Sequence, residues 1–205
     1  MASILDIVLS SLFGGVLLLV IVTASDIASE SQSVANGDML VQEMLTTTAQ
    51  MVEGEFRNMG FGVPETDRTI LVADSTHIKF LSKLDRNPGN PDTIDYATGN
   101  PNQLLGTPNE LDRFLTRKIN SEPALRVGVV TVFNLQYYTR VGDTLATPVP
   151  GDRLSEIHVV QVTMEVQNPY ALLRHADQVK AGERTALYSS SLWQQTRLAS
   201  QNSRR

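Results

Sequence analysis

Ile7-Val8-Leu9-Ser10-Ser11-Leu12-Phe13-Gly14-Gly15-Val16-Leu17-Leu18-Leu19-Val20-Ile21-Val22-Thr23-Ala24 runs for 18 residues without a charge. At about 1.5 Å per helical residue, such a run spans roughly 27 Å, enough for the hydrocarbon core of a bilayer. It is apolar all round, whereas a core helix near a chain terminus keeps one polar face. A membrane-embedded helix is therefore expected. A buried core helix passes the same test of length. A cleaved secretory signal, with Thr23-Ala24-Ser25 resembling a cleavage site, lacks its basic opening, because no Lys or Arg precedes Arg57. The same absence is unusual for an anchor, whose orientation flanking Lys and Arg ordinarily set.

Asp6, just before the run, is costly in lipid or in a helical bundle unless it is paired. Once Met1 is removed, which the small Ala2 favours, Asp6 is the fifth residue from a free α-amino group. A second copy shifted along the helix axis would bring its amine to Asp6. The alternative is a carboxylate at the membrane surface that favours the helix N-terminus through the dipole. Gly14-Gly15 likewise has two readings. One is local loosening of the helix, at about 1 kcal/mol per Gly relative to Ala. The other is close packing of helices in the membrane.

From Asp26 the helical pattern continues but becomes amphipathic. Val41, Met44/Leu45, Thr48, Val52, Glu55/Phe56 and Met59 recur at three- and four-residue spacing as one stripe. Gln42, Glu43, Thr46, Thr47, Gln50, Glu53 and Arg57 fill the other face. Gly60, Gly62 and Pro64 close the pattern. The first 62 residues thus read as one helix of roughly 55 to 60 residues, far longer than a globular domain requires. Its seven acids and single Arg57 give −6, against −5 for the whole chain, so the remainder carries +1. The expected organisation is a membrane or filament-core half (1–30), an amphipathic half (31–62) and a β-rich head (63–205).

Beyond Pro64 the periodicity alternates. Thr69–Ala73, His77–Leu84, Thr93–Ala97, Val127–Thr139, Glu156–Val166 and about Tyr188–Leu198 read as strands, with Phe114–Ile119 open between strand and helix. Val160, Val162, Met164 and Val166 share one face. Short strands without long crossovers predict an antiparallel sheet, and its apolar face requires the cover that Val41–Met59 offers. The fold class expected is α+β: a long N-terminal helix packed through its second half on that sheet.

Several of these segments together resemble the type IV pilin superfamily, especially minor pilins and pseudopilins of the large tip-complex kind. Ala2-Ser3-Ile4-Leu5-Asp6 places one acid at the fifth mature position, Asp in place of the family's usual Glu. Met51–Gly62 looks like the family's helix end, with an Arg and a Gly-aromatic pair. Ile78-Lys79-Phe80, the Asp85–Asp92 loop and Thr93-Ile94-Asp95-Tyr96 look like its strand, loop and strand. Leu115–Lys118, Val130–Tyr138 with Gly142, and Thr196-Arg197-Leu198 with Asn202 resemble the strands that follow. The family's leader, a basic residue and Gly before an aromatic, has no counterpart here, and neither does the Pro that many pilins carry in the helix.

The resemblance implies a structural subunit of a type IV pilus-like or type II secretion pseudopilus-like filament, polymerising through its hydrophobic helix. It implies as partners copies of the chain itself and other pilin-like subunits. The precursor would wait in the bacterial inner membrane and then move into a periplasmic or extracellular filament. Asp6 would neutralise the N-terminal amine at Ala2 of an adjacent subunit. The rival expectation is a single-pass, membrane-anchored extracytoplasmic ligand-binding domain.

No enzyme is expected, since no nucleophile has a positioned base. The chain has no Cys, which removes thiol catalysis and Cys-ligated metal, and its net charge of −5 argues against nucleic acid as a partner. His77, His158 and His175 lie on separate segments without metal-ligand spacing. No cofactor is expected beyond a weak calcium site, for which Asp85, Asn87 and Asp92 offer oxygens; Pro88 and Pro91 point instead to a rigid turn. In Tyr137-Tyr138, alternation requires at least one ring to face the core.

Overall fold

One unbroken helix, α1 (Ala2–Arg57), leads the chain in the computed structural model, which describes residues 2–84, 89–100, 103–104, 106–107, 109–168, 172–174, 187–188 and 191–199. Its 56 residues make a rod of roughly 84 Å. With no proline, nothing removes a backbone donor or kinks it. Arg57 pairs with Glu53 at 2.6 Å in the last turn. The helix then stops because Gly60 and Gly62 adopt φ of 75° and 67°, left-handed values that cost glycine little.

Five strands follow as an antiparallel meander in chain order: β1 (Ile70–Ala73), β2 (His77–Ser82), β3 (Asp92–Thr98), β4 (Arg113–Ile119) and β5 (Leu125–Val130). The segment that was open between strand and helix is β4, because it pairs with β3 on one side and β5 on the other. The Gly-aromatic turn joins this sheet, with Gly60 N–H donating to Leu81 O and Lys83 N–H to Phe61 O, each at 2.8 Å.

A second sheet holds β11 (Ser191–Ala199), β8 (Val159–Gln167), β6 (Val132–Tyr138) and β7 (Thr144–Leu145), in that order, and β9 (Leu172–Arg174) pairs with β10 (Leu187–Tyr188). The α+β architecture agrees with the sequence. The expectation of a single sheet does not, and neither does a continuous strand over Val127–Thr139. The chain changes sheets at Thr131, whose N–H donates to Glu165 O (2.8 Å) and whose hydroxyl donates to Asp112 Oδ1 (3.2 Å). Both halves of that stretch are apolar enough to be strands, and their alternation carries no mark of the crossing. The expected Glu156–Val166 strand begins only at Val159, after a 3-10 turn at Leu154–Glu156.

Val41, Leu45, Ala49, Val52 and Phe56 of α1, with Met59 in the turn that follows, are buried against both sheets in one continuous core. Phe56 meets Phe80 and Tyr96 edge-on, with ring centroids 5.4 and 5.6 Å apart. Each such burial contributes about 1.5–3 kcal/mol. Val160, Val162, Met164 and Val166 lie together in this core, and Tyr137 is the inward tyrosine, its hydroxyl donating to Asp74 O at 2.8 Å. Tyr138 faces outward beneath the Arg197 guanidinium, 5.1 Å from its ring centre.

Candidate functional site

The apolar half of α1 projects without cover. None of the residues in its most apolar 18-residue window is buried, and Leu17, Leu18, Leu19 and Ile21 are each more than 60% exposed. It is one helix long and apolar enough to cross a membrane. The described head meets α1 at Val34, Gly37 and Asp38. There the buried Asn168 amide donates to Val34 O (3.0 Å) and Asp38 Oδ1 (2.8 Å). A Cβ on Gly37 would lie 2.5 Å from Asn168 Oδ1, so this approach requires glycine.

Asp6 stands exposed near the free end of the rod. Ala2 begins the helix, and the amine that Asp6 is expected to meet belongs to a second copy. α1 continues unbroken through Gly14 and Gly15, and a Cβ on either would meet no atom within 4 Å. Both glycines therefore present bare backbone to whatever surrounds the rod, as close helix packing would require.

Further along, the second half of the helix is fixed by a clamp. Glu55 accepts hydrogen bonds from the Tyr96 hydroxyl (2.6 Å) and from Arg117 Nε (2.9 Å), and the guanidinium's second arm closes the fork. Both ion-pair side chains are about one-sixth exposed, at 15% and 16%. Burial, reinforced by the Glu55 charge, pushes the Tyr96 phenol far above the ordinary tyrosine value. The hydrogen bonds to Glu55 raise the Arg117 guanidinium, outweighing the opposing effect of burial. The sequence signalled the acid in the apolar stripe but not its two partners.

Of the calcium-loop residues, Asp85 and Asn87 lie outside the described residues. Asp92 is buried at the start of β3, where Oδ2 accepts from Leu84 N–H (3.1 Å) and Oδ1 from the Asn120 amide (2.6 Å). Its carboxylate thus braces two loops. His77 Nε2 lies 2.9 Å from Asp95 Oδ1 on the outer face of the first sheet. His158 Nδ1 lies 3.1 Å from Glu156 O; a carbonyl only accepts, so that nitrogen carries the proton. His175 is outside the described residues. Among the described residues no three His, Cys, Asp or Glu side chains converge as a metal site.

The arrangement supplies no reacting constellation among the described residues. It supplies a rod of exposed hydrocarbon held rigidly to a folded head. Such surface lowers its free energy by entering lipid or packing against other helices. No protein-family model, curated protein or solved structure matches this chain.

Proposed function

We propose that the chain is a structural subunit of a type IV pilus-like or secretion-pseudopilus-like filament, held in the inner membrane through α1 before assembly. One observation carries the reading: the first half of α1 is exposed and apolar on every side, while its second half is locked into the head. The pilin-like residue pattern around Asp6, the helix end and the strands supports it. Apolar packing among rods supplies cohesion once they leave lipid. Asp6, paired with a neighbour's amine, sets the axial register, since desolvation offsets much of a buried pair's attraction. A head-to-tail contact that does not close on itself propagates as a helix.

Replacing Asp6 with Ala is expected to abolish filaments, as seen by negative stain of the cell-surface fraction, with membrane insertion unchanged. Normal filaments from that variant would overturn the register role. Immunogold labelling along the shaft would mark a main subunit, and labelling only at ends a tip component. Membrane retention without filaments, even for the wild-type chain, would support an anchored binding domain instead.

A further inference from the structure

Between Leu40 and Met44 of α1 and Val127, Val129 and Val166 of the two sheets lies a groove of about 520 Å³. Its volume and largely apolar lining are those of a small-molecule site. Among the described residues, the charged side chains lining it are Asp112 and Glu43, both acids. Asp112 is just 4% exposed, and its carboxylate is met by two neutral donors, the Thr107 hydroxyl and the Thr131 hydroxyl, the latter at 3.2 Å. Burial pushes its carboxyl above the ordinary carboxylate value. Two hydroxyls leave the ionised carboxylate without a counter-charge, and among the described residues no cation lines the groove.

We propose that this groove binds a small organic cation, a primary ammonium on an aliphatic or aromatic body. The ammonium lies against Asp112, and the body lies among Leu40, Met44, Val127, Val129 and Val166. An ammonium has three N–H donors, and besides the Asp112 carboxyl the groove lining includes the Thr48 hydroxyl, whose oxygen can accept one of them. An anion would meet two acids and, among the described residues, no base. A neutral apolar molecule would seal Asp112 away from water with no charge partner. This proposal does not depend on the filament reading.

The test uses the full chain in detergent, with methyl-labelled methionine, since Met44 lines the groove while Met51, Met59 and Met164 report on the core. Titration with n-hexylamine, largely protonated at pH 7, should shift the Met44 methyl saturably. With 1-hexanol or hexanoate, of the same chain length, binding should be at least about tenfold weaker. Asp112→Asn should bring hexylammonium down to the hexanol level while the remaining methyls keep their positions. Should that variant fail to fold, Val129→Trp, which fills the groove, must abolish the Met44 response to the amine. Equal affinity for hexanol and hexylammonium, no saturable Met44 shift, or undiminished amine binding by either variant would each overturn the proposal.

Discussion

Glu55 is the one acid in the inward stripe of α1, and what it does is decided by residues 41 and 62 positions away, Tyr96 and Arg117. Removing the carboxylate alone would leave a largely buried guanidinium without its counter-charge. Glu55→Ala is therefore expected to cost about 2–4 kcal/mol, read as a lower urea midpoint. Replacing both partners, Glu55→Leu with Arg117→Met, should cost less than the single change, because no buried charge is stranded. The clamp also fixes a pH dependence. Burial and the Glu55 charge raise the Tyr96 phenol, and burial, with Asp74 nearby, raises that of Tyr137. Above the ordinary tyrosine value of about 10, the unfolded chain sheds protons that the native state keeps. Stability should then fall as pH rises beyond that point, with no contribution to the slope below it. Thermal melts between about pH 9 and 11.5 should show this, and Tyr96→Phe should flatten the slope by up to one proton's worth. At this scale the sequence disclosed that an acid breaks the stripe. It did not disclose the partners, because sequence separation carries no information on which strands meet above a helix.

Helix α1 was legible in extent because no proline interrupts it, and its second half in facing because one stripe runs from Val41 onward. The strands were legible as alternating runs, but not their assignment to sheets. Val127–Thr139 reads as continuous because β5 and β6 are both apolar; the separation is made by Thr131 turning its hydroxyl to Asp112. Two-residue β7 is too short to have a period at all. Gly128 was equally silent, and it decides how closely α1 lies on β5. A Cβ there would stand 2.7 Å from Thr48 Oγ1 and 3.3 Å from its Cγ2. Thr48 is itself buried, with its hydroxyl donating to Val127 O at 3.4 Å, so it has little room to retreat. Gly128→Ala should therefore push helix and strand apart at a cost of about 1–3 kcal/mol. Adding Thr48→Ala removes the two close atoms and should restore much of the loss. If the double variant is no more stable than Gly128→Ala alone, the steric contact is not what holds the helix at its present distance. Denaturant unfolding of the four proteins of this cycle decides the matter.

On the scale of the whole molecule, the average composition conceals two objects with different solvents. The helix segment carries −6 and an apolar half left exposed by the described head, whereas the β-rich remainder carries +1 and holds most of the core. The Asn168 contact at Val34, Gly37 and Asp38 marks where the exposed half of the helix gives way to the half held by the head. Stability and association should consequently separate. Deleting residues 2–33 removes no core member among the described residues, so the urea midpoint should change by no more than about 0.5 kcal/mol equivalent. The same deletion should turn a detergent-requiring chain into one that sediments as a monomer in water. Extending the cut through residue 45 removes Val41 and Leu45 from the core together with the Gly37–Asn168 contact. At about 2–5 kcal/mol for each large aliphatic group lost, that chain should not fold cooperatively. The informative comparison is between the two truncations. A 34–205 fragment that is stable yet still forms long assemblies in water would place polymerisation in the head. A stable monomer would leave the projecting half of α1 as the element through which the chain associates.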